Sequence, residues 1–353
     1  MTSGSPGRLI ILFAIPLMLG NICQQLYTMV DTMVVGQVAG VEALAALGAV
    51  DFLMWVVTGI STGLTQGFSI QLSQYYGAKN FENLRKSLAH SYRLTAFIAV
   101  GVFILSQSFA SLILTGLHTP SNIIGMSLLY LRIIFCGIPA TAAYNMFASA
   151  LRAMGNSKTP LTAMIIASVL NVSLDLLFVA GFGWGVAGAA IATVIAQSFS
   201  AVYCFLILRR IDIVHLTRAD FMPASGMNAR LMKLGIPVVF QNIIIGVGGL
   251  VVQYVINGYG FLFVAGFTAT NKLYGLLEMA AISYGYAIVT YVGQNLGAGK
   301  IDRIRKGVRS SMLLSLLTSL IISAAMFLFG KNILSLFISG EPQQTQQVLA
   351  IAF

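Results

Sequence analysis

Nine apolar runs, each long enough to cross a bilayer as a helix, recur along almost the whole chain. A hydrocarbon core about 30 Å thick requires about 20 apolar residues at the helical rise, and within it every backbone amide must be bonded inside its own segment. Gly, Pro and charge clusters place the spans at about 9–36, 43–74, 94–116, 123–148, 160–180, 185–208, 234–257, 263–292 and 311–330, with a tenth starting near 345. Only 8% of residues are charged, against about 25% in soluble domains. A globular fold is excluded, and an all-α polytopic membrane bundle is expected. The first run is too long and too interrupted for the apolar centre of a signal peptide, so it is read as the first span. Cys23, Cys136 and Cys204 fall inside apolar runs without metal or disulfide spacing.

Charge placement sets the orientation. With the N-terminus cytoplasmic, the N-terminal segment and the inner loops 75–93, 149–159, 209–233 and 293–310 hold 17 of the 20 lysines and arginines. The outer loops hold Lys331 alone. This positive-inside pattern explains the net charge of +10. It leaves no role for nucleic acid and a minor one for anionic membrane lipids. The expected location is a bacterial or archaeal cytoplasmic membrane.

The chain also repeats itself. The stretch SQYYGAKNFENLRK at 73–86 shares Gln, Gly, Ala, Arg and Lys with GQNLGAGKIDRIRK at 293–306, an offset of 220, and IPLMLGN at 15–21 matches IPVVFQN at 236–242, an offset of 221. Six spans separate the copies, so both have one orientation and an axis along the membrane normal relates them. The expected organisation is an N-lobe at 1–208, a cytoplasmic linker at 209–233 and a partial C-lobe at 234–353. A complete relative would carry twelve helices, of which about nine and a fraction fall here.

Three polar stripes interrupt the apolar spans. Gln24, Tyr27 and Asp31 lie at i, i+3, i+7 on the first span, as do Ser168, Asn171 and Asp175 on the fifth, and Thr193 and Gln197 lie at i, i+4 on the sixth. An intramembrane carboxylate carries a penalty of about 2.5–3.5 kcal/mol on insertion scales, so it faces protein or water and is functional by default. Asp31, Asp175 and Thr193 all fall about 8–12 Å below the outer ends of their spans at the helical rise. Carboxylate, amide and hydroxyl oxygens at one depth suit Na⁺; two carboxylates together equally suit a proton. Polar contacts that only hold helices together are the other reading. Gln24, Tyr27 and Asn145 are candidate substrate contacts, Pro16 and Pro237 candidate kinks, and Glu278 and Arg132 are read as deep and cavity-facing. Asp51 and Lys272 are read as snorkelling at outer helix ends. His90 and His215 fall in inner loops and His118 in an outer one, which gives metal chemistry no support. No Ser/His, Cys/His or metal constellation points to an enzyme.

Together, VDTMVVGQVAGVEALAALGAV at 30–50, LRAMGNSKTP at 151–160, NVSLDLLFV at 171–179, WGVAGAAIATVIAQ at 184–197 and VGQNLGAGK at 292–300 resemble the multidrug and toxic compound extrusion (MATE) family. The resemblance covers essentially the whole chain. It implies antiport, with entry of Na⁺ or H⁺ driving export of amphipathic, often cationic drugs or metabolites by alternating access, no other cofactor, and a monomer. Motif by motif, it puts the cation-coupling site on Asp31, Asn171, Asp175 and Thr193. The acidic residues that another branch of the family carries on its seventh helix are absent from 234–257. A lipid-linked oligosaccharide flippase of related architecture is the alternative; it calls for a cationic cavity, for which Arg132 is the one candidate.

Overall fold

The computed structural model describes residues 1–117, 119–257 and 261–335. The tenth span and His118 lie outside the described residues. The helices are α1 (Pro6–Val38), α2 (Val41–Gly77), α3 (Phe81–Gly116), α4 (Ile124–Cys136), α5 (Ile138–Ala153), α6 (Lys158–Asp175), α7 (Gly185–Arg209), α8 (Met227–Asn257), α9 (Phe261–Gly297) and α10 (Ile301–Ser335). Six single helices and two bent pairs among the described residues are long and apolar enough to span a bilayer. The all-α membrane bundle expected from the sequence is what forms.

One expected span is broken. The run at 123–148 becomes α4 and α5, bent by 46° at Gly137. Pro139 sits in the first turn of α5, where its ring would clash with the carbonyl of a helix continuing from α4. A Cβ on Gly137 would stand 2.7 Å from Val194 of α7, so the bend presses against α7 where only hydrogen fits. At Pro16, by contrast, α1 runs through without a break. Pro237 likewise sits inside α8. α2 bends by 40° between Asp51 and Leu53.

The repeat has a direct counterpart in packing. α2 lies along α8 and α9, and α9 lies along α1 and α10. A Cβ added to Gly77 would collide with the backbone of Gln294, and one added to Gly297 would collide with the backbone of Gln74. These are equivalent positions at the offset of 220, exchanging the same contact. A Cβ on Gly293 would stand 2.6 Å from Ser73, its own equivalent, which puts the pseudo-two-fold axis between these two residues. Both helices then end in one motif. Asn80 N–H bonds the Tyr75 carbonyl at 3.0 Å and Lys300 N–H the Asn295 carbonyl at 2.9 Å, around left-handed residues Lys79 (φ 55°) and Gly299 (φ 70°).

The linker at 209–233 is fastened to α3. His90, expected in a loop, is instead buried within α3, its Nδ1 2.7 Å from Asn228 Oδ1 and its Nε2 3.1 Å from the Met222 carbonyl. Arg93 donates to the Phe221 carbonyl at 2.9 Å. Arg85 stands 3.7 Å from Asp220, which also accepts from the backbone and hydroxyl of Thr217 at 2.8 Å each. Helix α8 begins at Met227, inside the stretch read from sequence as linker, and its first turn carries the Asn228 that meets His90.

At the opposite end of α7 from the linker, Phe178, Phe182 and Trp184 pack with ring centroids 5.0–6.0 Å apart. Phe182 and Trp184 remain half exposed, in keeping with an aromatic anchor at the interface.

Candidate functional site

A cavity of about 510 Å³ opens among α1, α2, α4, α5, α6, α7 and α9. The stripe on α1 lies on it through Gln24, Tyr27 and Asp31, and Pro16 lines it one end further down. α2 contributes Asp51, Trp55, Thr58 and Thr62; α5 contributes Tyr144, Asn145 and Arg152; α7 contributes Thr193 and Gln197. The bend at Gly137 is what allows Tyr130 and Ile134 of α4 and Thr141 of α5 to share one wall.

Behind this wall lies a second, closed layer. Asp31 is 6% exposed, while Asn171 and Asp175 are fully buried and stand outside the cavity lining. Asp31 and Asp175 lie within Coulombic reach of one another. Asn171 Nδ2 donates to Thr193 Oγ1 at 3.4 Å, and Gln197 Nε2 donates to the Tyr27 hydroxyl at 3.3 Å. These bonds orient the two amides so that their oxygens are left over. Asp31 Oδ1, Asn171 Oδ1, both oxygens of Asp175 and Gln197 Oε1 are buried without a hydrogen-bond partner.

Five orphaned acceptors in one region are unusual, because buried polar atoms in folded proteins are almost always paired. All five are oxygens that accept, and all are satisfied by the arrival of positive charge. The chemistry fits a hard cation with oxygen ligands or a proton shared between carboxylates. Among the described residues, no group of three or more His, Cys, Asp or Glu forms a metal-type cluster.

Local backbone structure marks the same place. α6 ends at Asp175 and continues as a π-helical turn over Leu176–Gly181. Such turns recur at functional sites because the extra residue per turn re-aims a side chain. Apolar periodicity carries no signal for it, and neither does it single out Gln197 as part of the cluster; that residue's spacing from Thr193 was the available hint.

The remaining sequence candidates divide between the cavity and other surfaces. Asn145 Nδ2 donates to Thr62 Oγ1 at 3.3 Å across the cavity. Glu278 is exposed on α9 and Arg132 exposed on α4, both outside the residues lining this cavity. The basic group at the cavity is instead Arg152, its guanidinium 4.9 Å from the centroid of the Tyr286 ring and 2.8 Å from Ser149 Oγ. Asp51 faces the cavity with Asp31 rather than snorkelling away from the bundle. The side chain of Lys272 lies outside the described residues.

Comparison with known proteins gives the following. The MatE family model matches residues 16–177 and 237–353, two blocks separated by a stretch that holds α7 as well as the linker. "Probable multidrug resistance protein YpnP" of Bacillus subtilis is 31% identical over 97% of this chain and 76% of its own length. "Probable multidrug resistance protein YoeA" of the same organism is 29% identical over 94% of this chain and 73% of its own. Among solved structures, a MOP superfamily transporter from Pyrococcus furiosus superposes with a TM-score of 0.92 over 99% of this chain and 77% of that one, at 23% identity. An outward-facing multidrug resistance MATE transporter gives 0.92 over 99% and 78%, at 22% identity.

Proposed function

This chain belongs to the MatE family, and from that premise we propose that it is a secondary active antiporter, exporting amphipathic and often cationic compounds in exchange for Na⁺ or H⁺. The observation that carries this reading is the closed layer of unpartnered acceptors at Asp31, Asn171, Asp175 and Gln197, set directly behind a cavity of drug-accommodating size. A small cation reaches that layer; an organic substrate is held in front of it. Asp31 belongs to both, being buried yet on the cavity wall, and so ties occupancy of one to the shape of the other.

The cation is the coupling species in this scheme. Asp31, Asn171, Asp175 and Thr193 hold it, and the protein's share of the work is to supply oxygens whose only compensation is positive charge. Filling the layer draws α1 toward α6 and α7, which narrows the cavity from the side that α1 forms. Substrate then leaves outward. Coupling follows because the two ligands prefer opposite arrangements of α1, and a ligand shifts an equilibrium only through such a difference in affinity. Export runs from the cytoplasm, with the N-terminus on that side as the loop charges require.

The cavity lining favours cations over the pyrophosphate of a lipid-linked sugar. Its acidic residues are Asp31 and Asp51, and the basic residue in it, Arg152, is already committed to Tyr286 and Ser149.

The test is ion-driven efflux of a fluorescent cation in membrane vesicles under separately clamped Na⁺ and H⁺ gradients. Asp31→Asn and Asp175→Asn are expected to abolish gradient-driven efflux while expression persists. Normal rates in either variant would sink the reading.

A further inference from the structure

We infer that the notch between the starts of α1 and α6 binds the phosphate of an anionic phospholipid, whose acyl chain lies along the seam between those two helices. The inference needs only the membrane bundle and stands apart from the antiport reading.

The notch is a second cavity, of about 460 Å³, and it shares no lining residue with the one that Asp31 borders. Leu9, Leu12 and Phe13 form its α1 side, and the turn from Met154 to Lys158 forms the other. The spans of α1 and α6 start at Pro6 and Lys158, so the notch lies at one end of the bundle, at the level where spans enter the headgroup layer.

The donors of this turn are left over. Gly155 N–H and Asn156 N–H are taken by the Arg152 and Leu151 carbonyls, and Thr159 N–H by Asn156 Oδ1 at 3.0 Å. Pro160 has none. Ser157 and Lys158 keep backbone amides without an acceptor among the described residues, at the positive end of an 18-residue helix. The Ser157 side chain is an independent observation. It is 4% exposed and lines the notch, yet its hydroxyl makes no bond to the helix start and none to another described residue. Buried polar groups are almost always paired, so a hydroxyl left in this way marks the place of a partner.

Charge gives the partner its sign. Lys158 is exposed, lines the same notch and forms no ion pair with a described residue. Arg8 is exposed one turn before Leu12 on the same face of α1. Met1 also borders the notch, its amino group already bonded to Gln294 Oε1 at 2.6 Å. No Asp or Glu is among the lining residues. Two amides, a hydroxyl and an ammonium all donate, which suits the oxygens of a phosphate. Without a carboxylate to receive choline or ethanolamine, the notch selects a net anionic headgroup over a zwitterionic one.

An apolar strip distinguishes a lipid from a soluble anion. α1 and α6 meet where Gly20 faces Leu161 and where Ser168 Oγ stands 3.5 Å from the Cys23 carbonyl. Beside this seam Leu12 and Leu19 of α1 and Ile165 and Val169 of α6 are 43–65% exposed. From Lys158 to Val169 the helix rises about 17 Å, about one leaflet of a hydrocarbon core about 30 Å thick. A phosphate at Ser157 and Lys158 thus sets an acyl chain against this strip.

The full chain in nanodiscs is tested with a phosphatidylglycerol that carries a photoreactive diazirine on its acyl chain. Labelled peptides are expected from residues 9–22 and 161–169. Unlabelled phosphatidylglycerol should compete about fivefold better than phosphatidylcholine of the same chains, the scale of one lysine at an anionic surface. Lys158→Gln should lower this labelling about fivefold, Lys158→Arg should retain it, and Ser157→Ala should lower it about threefold. Thermal midpoints of the three variants should match that of the parent, because neither side chain bonds to the rest of the protein. Labelling spread evenly over all the helices, or unchanged in Lys158→Gln, overturns the inference. Equal competition by the two lipids also overturns it and marks an ordinary annular lipid. Loss of the label to excess inorganic phosphate overturns the lipid as occupant and assigns the notch to a soluble anion.

Discussion

Replacing Gly77 or Gly297 by Ala separates two opposing effects in one measurement. Both glycines are helical, the last residues of α2 and α9, so alanine alone favours each helix by about 0.5–1 kcal/mol. Packing acts the other way. The new Cβ would occupy the space of the opposing backbone, Gln294 for Gly77 and Gln74 for Gly297, and a backbone carbonyl has no rotamer to yield with. The helices must part at the axis, where Ser73 and Gly293 also touch. Overpacking against a rigid neighbour costs about 1–3 kcal/mol and sometimes more, and a gap of 0.5–1 Å forfeits a quarter to a half of each contact's attraction around it. Taking the overpacking at about 3 kcal/mol leaves a net destabilisation of about 2 kcal/mol after the helix propensity gain. Gly101→Ala is the control, because nothing stands within 4 Å of a Cβ there; it should raise the thermal midpoint slightly. The assay is thermal unfolding of purified protein in detergent. Midpoints that rise in Gly77→Ala and Gly297→Ala, as in Gly101→Ala, would refute the close approach and with it the placement of the axis. The two variants should also suffer alike, since each meets the other's equivalent.

Further outcomes follow from local geometry. Lys79 holds a left-handed φ of 55° where the equivalent residue in the second copy is Gly299, and Lys79→Gly should stabilise the protein by about 0.5–1 kcal/mol in the same unfolding assay. Asp220→Ala strands the Thr217 amide and hydroxyl and removes the partner of Arg85; it is expected to lower stability by about 1–3 kcal/mol and to quicken tryptic cleavage near Arg218. Glu82 hydrogen-bonds Lys86 at 2.6 Å, which holds its carboxyl below the ordinary range. A lowered carboxylate pKa stabilises above the unfolded value and fades as pH falls through the folded one; because Glu82 is exposed to solvent, which screens the pair, Glu82→Gln should leave the midpoint at neutral pH nearly unmoved.

Sequence and structure part company in ways that have physical causes. Span positions and the repeat were legible because hydrocarbon imposes length, and a two-fold axis imposes like residues at Gly77 and Gly297. Asp31, Asn171, Asp175 and Thr193 are legible as candidates because polar groups stand out against apolar helices and family motifs fall on them. The break at Gly137 is not legible from apolar periodicity, which runs unbroken from 123 to 148; Pro139 alone marks it, while Pro16 and Pro237, the prolines deeper in apolar runs, sit in unbroken helices. The linker clamp was hidden because His90, Arg85 and Arg93 look like loop charges until residues 217–228 fold back upon them. Asp51 was misread because depth along α2 does not say whether its end faces lipid or the cavity.

The two copies of the sequence repeat share the glycines of their contact, and on the proposed reading they do not share a chemistry. Equivalent glycines on α2 and α9 are kept because the contact is reciprocal: a change in either copy damages the same interface. Asp31 has no such partner. At the offset of 221 its equivalent is Val252, and that of Tyr27 is Gly248, so the stripe on α1 is answered on α8 by apolar and small residues. A protein whose cation layer is confined to one lobe need move only the helix that carries it. On the proposed reading α1 is that helix: it spans from the inner contacts of Ile10, Phe13 and Ala14 with α9 to Asp31 at the cation layer. Filling the five orphaned acceptors with one cation therefore acts at a lever whose other end is packed against the second copy, and that connection lets an asymmetric site drive a two-fold scaffold.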